Sequence, residues 1–131
     1  MNATLLIFAS LLALATCNFK FGEKAMQALT AVRNECFASE NVDAAFINRL
    51  DTYEIPSRDD LKCHSLCVFK KFNAIDENGA FNFDVFKPYV PETEFAAVMS
   101  IINKCNVVTT DLCEKAHELH SCFNQIVYKQ N

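Results

Sequence analysis

Apolar residues recur along the chain at three- and four-residue spacing between short polar turns, a periodicity that predicts successive amphipathic helices. Over residues 21–34, Phe21, Ala25, Ala28, Leu29 and Val32 fall within one stripe, and Cys36 follows near the helix end. A short helix over 43–50 presents Phe46, Ile47 and Leu50. Pro56 then interrupts, and Ser57-Arg58-Asp59-Asp60 reads as an N-cap with acid in the first turn of a third helix, over 58–72. There Leu61, Ser65, Val68, Phe69 and Phe72 share one side, while Cys63 and Cys67, at i and i+4, share nearly the opposite one. A helix engaged on both flanks is expected to be central.

Asp76-Glu77-Asn78-Gly79 predicts a turn. Read as a calcium loop with Gly79 sixth, it would place Ala74 first and Val85 twelfth, and neither supplies a side-chain oxygen, so the turn reading stands. Asn82 caps a short helix to Lys87, stopped by Pro88. A fifth helix over 93–104 aligns Phe95, Val98, Met99 and Ile102, with Cys105 nearly in line. Thr110-Asp111 opens the last helix, whose stripe is Leu112, Ala116, Leu119, Phe123, Ile126 and Val127, with Cys113 and Cys122 on opposite flanks of it.

Composition narrows the class. The segment 1–17 carries no charge and holds an eleven-residue apolar block, Leu5 to Ala15. That block is shorter than the roughly 18–20 residues that span a bilayer, and small residues follow it, so the segment reads as a secretory signal peptide. Cleavage after Cys17 leaves a single domain over 18–131 with an even set of cysteines; cleavage after Ala15 would leave an odd one. No further long apolar run follows, so membrane insertion is not expected. A net charge of −4 without a basic cluster argues against nucleic acid. Two glycines leave no Gly-rich phosphate loop, and HExxH and GxSxG are absent. A small, secreted, helical, disulfide-stapled domain remains.

The cysteines are spaced Cys36-x26-Cys63-x3-Cys67-x37-Cys105-x7-Cys113-x8-Cys122. Arithmetic allows 15 pairings. Side-by-side projection from one helix disfavours a Cys63–Cys67 bond and little else. In its three-residue gap, the long gaps either side of the central pair and the eight residues before the last cysteine, the chain resembles an insect odorant-binding protein of the pheromone and general-odorant-binding family. The Asp76–Gly79 turn fits as well, and the seven-residue gap before Cys113 sits at the short edge of the family pattern.

The resemblance implies an all-α fold: a compact bundle of about six helices around an internal apolar cavity. It also implies the pairing Cys36–Cys67, Cys63–Cys113 and Cys105–Cys122. Taken alone, Phe-rich stripes at helical spacing read as solid core; the resemblance turns them into a cavity wall. The expected lining is Leu61, Ser65, Phe69 and Phe72, then Phe95, Met99 and Ile102, then Leu119 and Phe123, with Tyr128 near the opening. Ser65 would meet a ligand oxygen, or else bond back to the carbonyl one turn earlier. Met99 would give an adaptable wall.

The implied function is a carrier, not an enzyme: a small hydrophobic ligand (odorant, pheromone or lipid-like) is taken up and moved through sensillar lymph or another body fluid. The candidate protein partner is an olfactory receptor, and the carrier is expected as a monomer or weak homodimer without cofactor or metal. The same fold also serves outside olfaction, in saliva, haemolymph or reproductive fluid. His64, His117 and His120 would loosen the bundle on acidification, or else are solvated surface histidines, His117 lying on the polar side of its helix. The nine residues after Cys122 complete the last helix rather than plug the cavity. Two rivals are weaker. A phospholipase A2-like enzyme would need adjacent paired cysteines and a Gly-rich calcium loop beside His64. A zinc module built on Cys63, His64, Cys67, His117 and His120 would need reduced thiols in a secreted chain.

Overall fold

The computed structural model describes residues 22–51, 54–105 and 107–129, with side chains as far as 127; the expected leader and Phe21 lie outside these. Helix α1 spans Glu23–Ser39, α2 Ala44–Arg49 and α3 His64–Lys71; a 3₁₀ helix spans Phe83–Tyr89, followed by α4 at Glu92–Lys104 and α5 at Leu112–Lys129. No strand occurs among the described residues, only an isolated antiparallel bridge between Ile75 and Phe81.

Helix α1 runs past the predicted end at residue 34, because Cys36 and Phe37 continue its buried face. Ser39 Oγ then donates to Cys36 O at 2.9 Å, and Asn41 at φ 53° turns the chain away. Asp43 caps α2 by accepting from the Ala45 N–H at 3.0 Å. Asp111 caps α5, accepting from the Glu114 N–H at 2.8 Å, a bond that holds its carboxyl below the usual range.

Helix α3 begins six residues later than the periodicity predicts. Ser57 closes its own turn: Leu61 N–H donates to Ser57 O at 2.9 Å, and Ser57 Oγ accepts from the Asp60 N–H and donates to the Asp60 carboxylate. Cys63 is the non-helical cap of α3, with φ −118° and ψ 17°. Leu61 therefore lies before the helix. At the far end, Asn73 at φ 58° reverses the chain, and the Ala74 N–H donates to Phe69 O at 2.8 Å.

The Asp76–Gly79 turn forms as predicted. Asp76 Oδ1 accepts from the Asn78 and Ala80 N–H groups at 2.8 and 2.9 Å. Gly79 adopts φ 79°, and a Cβ there would lie 2.5 Å from Leu112 Cδ2. The helix that follows is a 3₁₀ helix that contains Pro88 rather than stopping before it.

Helix α3 packs on both α1 and α5, the central position its two-sided pattern implies, while α4 packs on α5 and the 3₁₀ helix. Two small cores result. Leu66, Ile75 and Ala116 gather Phe69, Phe81 and Leu112; Val90, Val98 and Val127 gather Phe95, Ile101, Ile102 and Phe123. Disulfides join Cys36 to Cys67, Cys63 to Cys113 and Cys105 to Cys122, with Cα–Cα distances of 5.9, 4.7 and 5.7 Å, matching the implied pairing. They span 31, 50 and 17 residues, each contributing roughly 3–4.5 kcal/mol in a chain-entropy picture. Such bracing lets a small bundle tolerate an unfilled interior.

Candidate functional site

Side chains from both cores border an internal cavity of about 130 Å³. Helix α3 contributes Val68 and Phe69, with Phe72 at its C-cap; α4 contributes Phe95, Val98, Met99 and Ile102; α5 contributes Leu119 and Phe123. Phe69, Phe72, Phe95, Met99, Ile102, Leu119 and Phe123 thus stand at the wall where the helical stripes put them.

Two expected lining residues do not. Leu61 is buried but lies outside the wall, because the late start of α3 removes it from that helix's stripe. Ser65, 1% exposed, also turns away: its Oγ stands 3.1 Å from His120 Nδ1, bonded neither to the cavity nor to the preceding turn. The side chain of Tyr128 lies outside the described set.

The wall also includes residues that the sequence reading passed over. Ala25, Leu29 and Arg33 of α1 face the cavity at four-residue spacing, and the first two belong to the recognised stripe. The 3₁₀ helix adds Phe83, Phe86 and Tyr89, signalled by the aromatic run FDVFKPY. Phe72 meets the Phe86 and Tyr89 rings at 5.4 and 5.9 Å, tilted and edge-on.

Polar groups at the wall are few: Arg33, His64, His120 and Asn124, with Glu54 at the margin. Arg33 is 7% exposed, donates from Nη2 to Glu54 O at 2.7 Å, and lies over the Phe37 ring at 5.6 Å. Burial lowers its pKa against the opposing pull of Asp51 and Glu54. His64 stacks on Phe37 with centroids 4.4 Å apart and planes at 11°. Burial, then the Arg33 charge, pushes its pKa down to about 4. His120, half-buried and edge-on to Phe69, is pushed down to about 3 by burial and then by Arg33, His64 and His117. The reading of His64 and His120 as solvated surface groups is therefore corrected: both face the interior and are neutral at pH 7. His117 sits half-buried, with Nε2 3.5 Å from Ser121 Oγ.

The zinc reading fails on its thiols, since Cys63 and Cys67 are both disulfide-bonded. A hollow lined by rings and aliphatic chains, with a handful of polar groups, is the anatomy of a small-molecule binding site.

The chain is 27% identical over 139 residues to general odorant-binding protein 19d of Drosophila melanogaster, covering 98% of this chain and 89% of that protein. It is 26% identical over 128 residues to odorant-binding protein 22 of Aedes aegypti, covering 95% and 91%. The crystal structure of Locusta migratoria odorant-binding protein lmigOBP1 superposes with a TM-score of 0.60 at 25% identity, over 82% of this chain and 85% of that one. Residues 19–125 match the PBP/GOBP family, and the chain belongs to that family of odorant-binding proteins.

Proposed function

We propose that this small-ligand carrier holds odorants, pheromones or similar lipid-like molecules in its cavity and moves them through an extracellular fluid towards olfactory receptors. The carrying observation is the cavity itself, walled by Phe69, Phe72, Phe95 and Phe123 inside a frame of three disulfides. Its chemistry is transfer, with no bond made or broken. An apolar molecule leaves water for an apolar space that already exists, so little folding free energy is spent on reshaping the site. Burying roughly 300 Å² of apolar ligand surface at ~25 cal/mol/Å² is worth about 7.5 kcal/mol before entropic losses, so burial alone caps affinity near micromolar. Such affinity suits a carrier that must also release its cargo. Among the described residues no helix is long and apolar enough to cross a membrane.

The test is a displacement titration with a fluorescent apolar probe against alcohols, aldehydes, esters and carboxylic acids of matched chain length. Saturable, competitive binding of at least one class is expected. A protein that takes up neither probe nor any ligand is not a carrier of this kind. Transcript in olfactory sensilla is expected for the olfactory role; transcript confined to salivary, haemolymph-secreting or reproductive tissue would move the same chemistry to another fluid.

A further inference from the structure

His120 presents to the cavity a hydrogen-bonding atom that the fold leaves unused. The residue lines the cavity, half-buried and edge-on to Phe69 at 5.8 Å. Its Nδ1 meets Ser65 Oγ at 3.1 Å. Its Nε2 has no hydrogen-bond partner among the described residues and, unlike the nitrogens of His64, is not shut off from accessible space. The other polar side chains at the wall are engaged: Arg33 donates to Glu54 O, the Glu54 carboxylate accepts from the Asp51 N–H, and Asn124 has its own partner.

Ser65 decides what Nε2 offers. Its hydroxyl is 1% exposed, and a buried O–H without an acceptor is costly. Nδ1 of His120 is the acceptor it meets among the described residues, so Ser65 donates to Nδ1. Burial keeps the imidazole neutral at pH 7, with its pKa near 3, and a neutral ring whose Nδ1 accepts carries its proton on Nε2. The cavity therefore receives an N–H donor. A carbonyl oxygen accepts from it and needs nothing more. A hydroxyl also accepts, but its own hydrogen is then stranded among rings and aliphatic carbon.

We propose that His120 Nε2 is a head-group contact that selects neutral carbonyl ligands (aldehydes, ketones or esters) over alcohols of the same skeleton. The N–H donates to the carbonyl oxygen, and the hydrocarbon remainder lies against the surrounding rings. Ser65 pre-sets the donor; a bound carbonyl would hold the same proton on Nε2 without it, so the selection is lodged in His120. This assignment rests on the carrier reading and adds to it a ligand class and an orientation.

The test titrates the full disulfide-bonded protein, loaded with N-phenyl-1-naphthylamine, with octan-2-one and octan-2-ol at pH 7. One neutral hydrogen bond predicts that the ketone displaces the probe at about two- to tenfold lower concentration than the alcohol. His120→Phe keeps a ring beside Phe69 and removes both nitrogens; it is expected to bring ketone and alcohol to like affinity. In the unsubstituted protein, ring nitrogen resonances are expected to show His120 protonated at Nε2, and octan-2-one is expected to shift Nε2 while leaving His117 in place, a readout independent of the variant's folding. Equal binding, a preferred alcohol, a preference that survives His120→Phe, a proton on Nδ1 or an unmoved Nε2 resonance would each overturn the subsite and leave the carrier reading intact. Failure of the probe and both ligands to bind overturns both.

Discussion

Two walls of the cavity are built on different terms. The wall of α1 and α3 is cross-linked: Cys36–Cys67 ties those helices together, and Cys63–Cys113 ties the start of α3 to α5. It carries the buried polar groups Arg33 and His64. The opposing material, the 3₁₀ helix Phe83–Tyr89 with its rings, holds no cystine and meets α3 through ring contacts such as Phe72–Phe86. Hydrogen-bonding groups need fixed geometry, because their energy falls steeply with distance and angle, whereas dispersion against a ring tolerates displacement. Groups that need fixed geometry therefore sit on the braced side, and groups that need only contact sit on the side without a cystine.

Breaking the brace gives the largest effect. Replacing Cys63 and Cys113 together by serine should cost about 4 kcal/mol, given the 50 residues that the bridge spans, and thermal unfolding with and without the pair measures it. A loss under about 1 kcal/mol would mean that packing, not sulfur, sets the frame.

Acid comes next. His64 and His120 have folded pKa values near 4 and 3, below the ordinary value of 6.5, so the unfolded chain binds more protons between those limits. Their contribution to stability is complete above pH 6.5 and is lost as pH falls towards 4 and then 3, a decline of a few kcal/mol readable by urea unfolding at stepped pH. His64→Phe should flatten that slope, and an unchanged slope would assign the acid sensitivity elsewhere.

Gly79→Ala probes the turn that leads into the aromatic wall. Positive φ and the Leu112 contact together should cost about 1–3 kcal/mol, and Gly79→Ala combined with Leu112→Ala should recover the steric share in a double-mutant cycle. The smallest effect is Ser65→Ala. Loss of the Oγ–His120 bond should destabilise by about 1 kcal/mol and leave ligand affinity unchanged, since that hydroxyl faces away from the cavity. A drop in affinity would return Ser65 to the wall.

Much of this was legible in the chain because helical periodicity reports burial. Phe95, Met99 and Ile102 on α4, and Leu119 and Phe123 on α5, stand at the wall their stripes predict. The failures share a cause: residues whose placement is decided by tertiary contacts. Leu61 left its stripe when the Ser57 turn and the non-helical Cys63 delayed α3. Ser65 turned away because His120, 55 residues distant in sequence, offered a partner that no local pattern announces. Arg33 and His64 are polar types that normally stay wet, so a hydrophobicity pattern passes over them even though the fold buries both.

The interleaved order of the bridges has a consequence for biosynthesis. As the chain is made from its amino end, Cys63 is available to Cys36 before Cys67 is, whereas the native partner of Cys63 lies 50 residues downstream. Once residues 1–17 are removed as expected, the first pair that the growing chain offers is a non-native one, Cys36 with Cys63, and where that link forms it must exchange to Cys36–Cys67. Correct maturation then depends on thiol–disulfide exchange, which takes seconds to hours according to oxidant and isomerase. Yield from a host lacking an isomerase should suffer before the finished molecule shows any weakness.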